Sequence, residues 1–139
     1  RRKKLVYSWV QDASASMAGS RTEAALDGFD YMFQEVFHPT DFLSAMTFNS
    51  DFHTLHLPMP VHKVNAARDK ASIRQDVGGR TRMYDAVGSA IEALQKLNRD
   101  PKFSLITNEA VYELLVLTDG ADNCSTDYDH RRVAELIAH

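Results

Sequence analysis

The segment Leu5-Val6-Tyr7-Ser8-Trp9-Val10-Gln11 is mostly apolar and rich in residues that favour β-strands. A continuous run of this kind is typical of a strand buried on both faces in a parallel sheet. It leads directly into Asp12-Ala13-Ser14-Ala15-Ser16, where a carboxylate and two hydroxyls occupy alternate residues. This spacing can present three oxygen atoms to one small cation. Hard divalent ions such as Mg²⁺ prefer such oxygen ligands.

Helical and strand patterns alternate after this segment. Ser20-Arg21-Thr22-Glu23 has the spacing of a capping box, and a helical pattern continues from it until Pro39. The apolar residues of that pattern are Leu26, Phe29, Phe33 and Phe37. Residues 41–48 and 52–57 then predict a hairpin with an antiparallel edge strand, which we expect to end at Pro58 and Pro60.

The rest of the chain continues the alternation. We expect a polar helix over 65–75, an apolar-faced helix from Met83 to Leu97, a strand over 112–118 and a last helix over 127–138. Strands that alternate with helices predict an α/β, Rossmann-like, doubly wound and mainly parallel sheet with helices on both faces. In such sheets ligands bind beyond the carboxyl ends of the strands, where the strand order reverses.

Asp119 follows the strand over 112–118, as Asp12 follows the first strand. If the two strands are neighbours, both carboxylates and the hydroxyls of Ser14, Ser16 and Thr81 converge on one place. Two carboxylates about 5 Å apart repel each other by roughly 3 kcal/mol at an effective dielectric of about 20. A bound divalent ion offsets this repulsion directly, which is a physical reason to expect a metal.

Length and composition limit the class of protein. The 139 residues fit one domain, spanning 1–139, and no apolar run approaches the ~20 residues of a membrane-spanning helix. The formal net charge of −3 is too small to suggest binding to nucleic acid. Cys124 is the single cysteine, so no internal disulfide is expected, and a reducing, intracellular compartment is favoured.

Three segments match one known pattern. They are Asp12-Ala13-Ser14-Ala15-Ser16-Met17, Gly78-Gly79-Arg80-Thr81 with Tyr84-Asp85-Ala86, and Leu115-Val116-Leu117-Thr118-Asp119-Gly120. In these residues the chain resembles a von Willebrand factor type A (VWA) domain with a metal-ion-dependent adhesion site (MIDAS). All five metal-site positions of the family match in order and in structural context.

The resemblance implies that the hydroxyls of Ser14, Ser16 and Thr81 coordinate Mg²⁺, while Asp12 and Asp119 act directly or through bound water. Mn²⁺ would also suit the site, and Ca²⁺ would suit it less. In this family the open coordination position commonly accepts an acidic side chain from a partner. The implied function is therefore a metal-dependent protein-binding module, not an enzyme, whose protein partner offers Asp or Glu.

Residues around the ion would set selectivity for the partner. Arginines near a site that receives a carboxylate would suit an acidic ligand, although each one equally fits plain solvated surface. The candidates are Ala13, Ala15, Met17, Arg21, Arg80, Arg82 and the loop 121–127.

Other functions remain open. The chain could be a structural or assembly domain whose metal recruits no external ligand, or a metal-dependent phosphoesterase. Aspartyl phosphotransferases usually need a second acid two residues after the first, and here that residue is Ser14. A zinc site is disfavoured because His53 and His56 would point to opposite faces of a strand. Single site residues could also be ordinary turn or cap residues; their joint order favours the metal site.

One feature departs from the family. Its members usually continue beyond the helix predicted at 127–138 with further strands and helices, whereas this sequence stops at His139. We therefore expect a fragment or a trimmed fold, in which the strand over 112–118 is an exposed apolar edge. Such an edge predicts self-association or domain swapping.

Overall fold

The computed structural model describes residues 5–79, 82–98 and 111–118. Strands and helices alternate along these residues. They are β1 (Leu5–Asp12), α1 (Ser20–Tyr31), β2 (Phe42–Phe48), β3 (Phe52–Pro60), α2 (Ala66–Asp76), α3 (Met83–Asn98) and β4 (Val111–Leu117). Short 3₁₀ turns cover Ala15–Met17 and Val61–Lys63, and a π-helical turn covers Met32–Val36.

The four strands form one sheet in the order β3-β2-β1-β4. β1 lies parallel to both β2 and β4, and β3 lies antiparallel to β2. The prediction of a mainly parallel α/β sheet with one antiparallel edge strand is therefore confirmed. The two strands that precede Asp12 and Asp119 are neighbours, because β1 pairs with β4 from Leu5 with Val111 to Gln11 with Leu117.

Helices cover both faces of the sheet. Successive residues of a strand point to opposite faces, and Trp9 and Val10 illustrate this in β1. The ring of Trp9 meets that of Phe29 in α1 edge to face, with ring centroids 4.9 Å apart. Val10 instead packs in a second core cluster with Ala86 and Ala90 of α3. The two apolar faces of the central strand thus fix α1 on one side and α3 on the other.

The ends of α1 differ from the sequence prediction. The predicted capping box is wrong, because Gly19 is the residue before the helix and it makes no side-chain cap. The Glu23 carboxylate instead accepts two hydrogen bonds of 2.9 Å from Arg74 of α2. The α-helix ends at Tyr31, and the π-helical turn that follows carries the apolar pattern on toward Phe37.

The end of β3 also differs from the prediction, since the strand continues through Pro58 to Pro60. Proline lacks the N–H that a central strand needs, but an edge strand can accommodate it. β3 is such an edge strand, and Pro60 still lies opposite Phe42 of β2. The register between β2 and β3 shifts near Ala45, which marks an irregular ladder.

The described residues do not test several of the predictions. The helix predicted at 127–138 lies outside the described residues. Within the described ranges β4 pairs with β1 alone, so self-association through its other edge stays a prediction. The single-domain organisation also stays a prediction. No helix in the described ranges is long and apolar enough to cross a membrane.

Candidate functional site

Asp12 ends β1, at the carboxyl end of the sheet, and its side chain is fully buried. Its Oδ1 accepts a hydrogen bond of 2.8 Å from the backbone N–H of Ser14. Its Oδ2 accepts one of 2.7 Å from the hydroxyl of Thr118, the residue directly after β4. The carboxylate is therefore held between the loop that follows β1 and the end of the neighbouring strand.

The two serines after Asp12 lie side by side. Ser14 Oγ is 3.1 Å from Ser16 Oγ, so the two hydroxyls share a hydrogen bond. A 3₁₀ turn places them there, because the Met17 N–H donates to the Ser14 carbonyl at 3.0 Å. Ser14 is buried and Ser16 is exposed. This loop thus places one buried and one exposed hydroxyl oxygen next to a buried carboxylate.

A second loop, which joins α2 to α3, lies against the loop of Asp12. The Gly78 N–H donates to the Ala13 carbonyl at 2.7 Å, and the Ala15 N–H donates to the Gly79 carbonyl at 3.0 Å. Gly78 and Gly79 have φ of 149° and 75°, in the region that favours glycine. The glycine pair therefore allows the second loop to pack directly on the first.

Three of the five predicted metal ligands are described, namely Asp12, Ser14 and Ser16, and the structure brings them together. Thr81 and Asp119 lie outside the described residues, so their side chains stay a prediction. Their described neighbours in the chain, Arg82 and Thr118, both lie at this edge of the sheet: the Arg82 N–H donates to the Asn49 carbonyl just after β2, and Thr118 contacts Asp12.

The side-chain atoms that could bind a cation at this place are all oxygens. Asp12 receives its two hydrogen bonds from an amide and a hydroxyl, which carry no charge to balance a buried carboxylate. A buried carboxylate without a compensating charge is costly. Carboxylate and hydroxyl oxygens suit Mg²⁺ or Mn²⁺, whereas zinc prefers His and Cys. No group of three His, Cys, Asp or Glu side chains suited to a metal occurs within 5–79, 82–98 and 111–118.

The arginines proposed to surround the site differ in their surroundings. Arg21 is exposed, and its Nη1 donates to the Ser16 carbonyl at 3.3 Å. Arg82 is largely buried, and its Nε donates to Oδ2 of fully buried Asp85 at 2.9 Å. Arg80 lies outside the described residues. Arg21 is therefore an exposed cation beside the serines, and Arg82 forms an ion pair with Asp85.

Two residues make contacts here for which the sequence did not predict a role. Thr118 supplies a hydrogen bond to Asp12, and the signal for it is only its place directly before Asp119 at the strand end. Asp85 pairs with Arg82, and the signal for that pair is the three-residue spacing, which brings side chains together at the start of a helix.

His56, one of the histidines considered for zinc, makes a different contact. His56 Nε2 lies 2.8 Å from Oδ2 of Asp69, and this contact joins β3 to α2. Burial lowers the pKa of His56, but the hydrogen bond and charge of Asp69, with the Leu57 carbonyl, outweigh it and raise that pKa above its ordinary value. The pair is a structural contact between the edge strand and a helix.

An apolar cavity lies elsewhere. A space of about 430 Å³ separates α3 from the β2–β3 part of the sheet and is lined mainly by apolar side chains such as Met46, Phe52, Leu94 and Leu97. None of Asp12, Ser14 and Ser16 lines it. We place the candidate site at Asp12 because the buried charge and the converging oxygens lie there, and cavity size alone carries no chemistry.

Comparisons with known proteins bear on the fold. No family model matches the chain, and no curated protein sequence matches it. Among solved structures, a von Willebrand factor type A protein from Catenulispora acidiphila superposes with a TM-score of 0.67 at 17% identity, over 98% of this chain and 30% of that chain. The vWF domain of the type V pili tip protein Mfa5 from Porphyromonas gingivalis gives a TM-score of 0.56 at 13% identity, over 86% and 39%.

The chain thus spans well under half the length of either solved structure. At such low identity the similarity concerns the arrangement of strands and helices. In this chain the arrangement comprises the parallel strands β2, β1 and β4 and the antiparallel edge strand β3. The fold of this chain is similar to that of von Willebrand factor type A domains.

Proposed function

We propose that this chain is a protein-binding module that uses a divalent cation as part of the contact. The ion would be Mg²⁺ or Mn²⁺, and its ligands would be Asp12, Ser14, Ser16, Thr81 and Asp119. The observation that carries the proposal is the buried carboxylate of Asp12, which lies beside the Ser14 loop and receives hydrogen bonds only from neutral donors among the described residues.

A cation would supply the charge that this carboxylate lacks. The hydroxyls of Ser14 and Ser16 lie side by side, and a hydroxyl oxygen carries two lone pairs, so it can act as a metal ligand. Mg²⁺ loses its waters reluctantly and accepts a site built from one or two carboxylates, hydroxyls and several waters. The described oxygens fit this requirement.

The same residues suit the binding of a protein partner better than the catalysis of a reaction. Hydroxyl ligands leave more positive charge on the ion than carboxylates would, so an acidic side chain of a partner can replace a bound water. Exposed Arg21 beside the Ser16 carbonyl adds positive charge at the rim. One solved structure with this fold comes from a pili tip protein, which is consistent with a role in protein interaction.

Calorimetric titration with Mn²⁺ tests the metal site. We expect one bound ion per chain, and we expect at least about tenfold weaker binding in Ser14→Ala and Ser16→Ala, since each removes an oxygen ligand. Thr54→Ala is the matched control, because Thr54 is an exposed hydroxyl on the edge strand β3. Absence of Mn²⁺ binding by the unaltered chain would refute the proposal.

The role of a partner's carboxylate needs its own probe. Water-proton relaxation reports the number of exchanging waters on bound Mn²⁺, so N-acetyl-aspartate amide should lower that relaxation when its carboxylate replaces a water. N-acetyl-asparagine amide is the matched control and should leave it unchanged. Equal effects of the two amides would contradict carboxylate capture. Hydrolysis of a generic phosphoester that depends on Asp12 would contradict the assignment as a binding module.

A further inference from the structure

Arg82 contacts both the first turn of α3 and the turn between β2 and β3. Its Nε donates to Asp85 in the first turn of α3, and its own carbonyl accepts from the Ala86 N–H at 3.0 Å. Its backbone N–H donates to the Asn49 carbonyl at 3.0 Å. The guanidinium carbon lies 4.7 Å from the centre of the Phe52 ring. Arg82 thus fixes the start of α3 to the turn between β2 and β3.

The same turn also holds the loop before Arg82. Asn49 Nδ2 donates to the carbonyl of Asp76, the last residue of α2, at 3.0 Å. A methyl group added to Gly79 would lie 2.9 Å from Ser50 Oγ, so the backbone of Gly79 lies almost against this turn. The loop that joins α2 to α3 is therefore attached to the β2–β3 turn at both of its ends.

Electrostatics argue that this attachment is specific. Asp85 is fully buried, and Arg82 supplies the opposite charge that lowers the cost of burying its carboxylate. Removal of one partner of a buried ion pair is strongly destabilising, because it leaves a buried charge uncompensated. Arg82 is 22% exposed and already engaged, so it is poorly suited to receive a partner's acid.

We propose that the Arg82–Asp85 pair is a positioning pair for the metal site, and this inference rests on the proposed function. The pair fixes Arg82, at the end of the loop that joins α2 to α3. Through Gly78 and Gly79 that loop bonds the backbone of the Asp12 loop on both sides of Ser14. The pair therefore acts on the Asp12 loop through the backbone contacts of the adjoining loop.

The expected effect follows from the geometry that the ion requires. Mg²⁺ and Mn²⁺ favour near-octahedral coordination with short metal–oxygen distances, so small displacements of a hydroxyl weaken binding. Loss of groups that orient metal ligands typically reduces metal affinity about 10–100-fold. We expect Arg82→Ala and Asp85→Ala to fall in this range, and the double variant to equal the weaker single variant.

The experiment uses the full chain with Mn²⁺ as the probe. Calorimetry gives the dissociation constant for each variant, and the electron paramagnetic resonance line shape of bound Mn²⁺ reports distortion of its coordination. Urea unfolding in chelator shows that each variant is folded during titration. Should an alanine variant not fold, Arg82→Lys and Asp85→Asn replace it. Lys70→Ala is the control, because it removes the Lys70–Asp30 ion pair between α2 and α1.

The outcomes separate the two proposals. Weaker Mn²⁺ binding and an altered line shape in the folded Arg82 and Asp85 variants, with neither change in Lys70→Ala, would support the positioning role. Unchanged affinity and line shape in folded Arg82 and Asp85 variants would overturn that role and leave the proposed function intact. Failure of the unaltered chain to bind Mn²⁺ would overturn both.

Discussion

The hydroxyl of Thr118 donates to Oδ2 of Asp12 across 2.7 Å, although 106 residues separate the two in the chain. The contact exists because β1 and β4 are parallel neighbours whose carboxyl ends meet at one edge of the sheet. It joins the candidate site to the strand that leads to Asp119. The sheet topology thus delivers residues from distant parts of the sequence to one buried carboxylate.

Substitution of Thr118 tests the strength of this contact. Thr118→Val removes the hydroxyl that donates to Oδ2 of Asp12, so this oxygen of a buried carboxylate loses its hydrogen bond. We therefore expect the free energy of unfolding, measured in urea without metal, to fall by about 1–3 kcal/mol. Thr118→Ser keeps the hydroxyl and should lose much less. Thr54→Val at an exposed position should change stability by less than about 0.5 kcal/mol. Equal losses in the Val and Ser variants at Thr118 would show that the hydrogen bond contributes little.

Glycine substitutions test the packing of the loop that joins α2 to α3. Gly79→Ala should destabilise the fold by at least about 1–2 kcal/mol, because φ is 75° and the new methyl group would meet Ser50 Oγ at 2.9 Å. Gly28→Ala is the opposite case, since Gly28 lies within α1 with open space around its added methyl group. There we expect a gain of roughly 0.5–1 kcal/mol.

Thermal and urea unfolding of both variants measure this contrast. A neutral Gly79→Ala would mean that the loop can move away from the β2–β3 turn, and it would also weaken the case for the Arg82–Asp85 pair as a positioning device.

Much of this fold was predictable because its strands carry strong local signals. The apolar run of β1 and the run of β4 each identify a buried parallel strand, and the resemblance places their carboxyl ends together. The ends of elements were less predictable. Gly19 stands before α1 without a side-chain cap, and Glu23 pairs with Arg74 of α2. Pairs between helices leave no local pattern in a sequence.

The candidate site shows the same division. Asp12, Ser14 and Ser16 are close in sequence, so one segment predicts their convergence, and the structure confirms that they lie together. The surroundings of Arg82 could not be predicted in this way, because its contacts with Asn49 and Phe52 depend on the β2–β3 turn folding back on the start of α3.

The pH dependence of stability tests the pair between His56 and Asp69. The pKa of His56 is raised in the folded protein, so the protonated form is favoured there. Its contribution to stability is fully present below the ordinary histidine pKa of about 6.5 and is lost as pH rises through the higher folded value. We expect the free energy of unfolding to fall over this interval, and His56→Gln should flatten the fall. His62→Gln, at an exposed histidine, should preserve it. A slope that survives in His56→Gln would assign it to other groups.

Removal of the metal tests most directly whether metal binding at the candidate site stabilises the fold. A ligand that binds only the folded chain stabilises it by about 2.7 kcal/mol at a hundredfold excess over its dissociation constant. Mg²⁺ should therefore raise the midpoint of thermal unfolding, and excess chelator should reverse the rise. Ser16→Ala is the informative variant, because exposed Ser16 contributes little to packing and its stability in chelator should match that of the unaltered chain. A rise of the same size in both chains would show that Mg²⁺ stabilises the protein through another site.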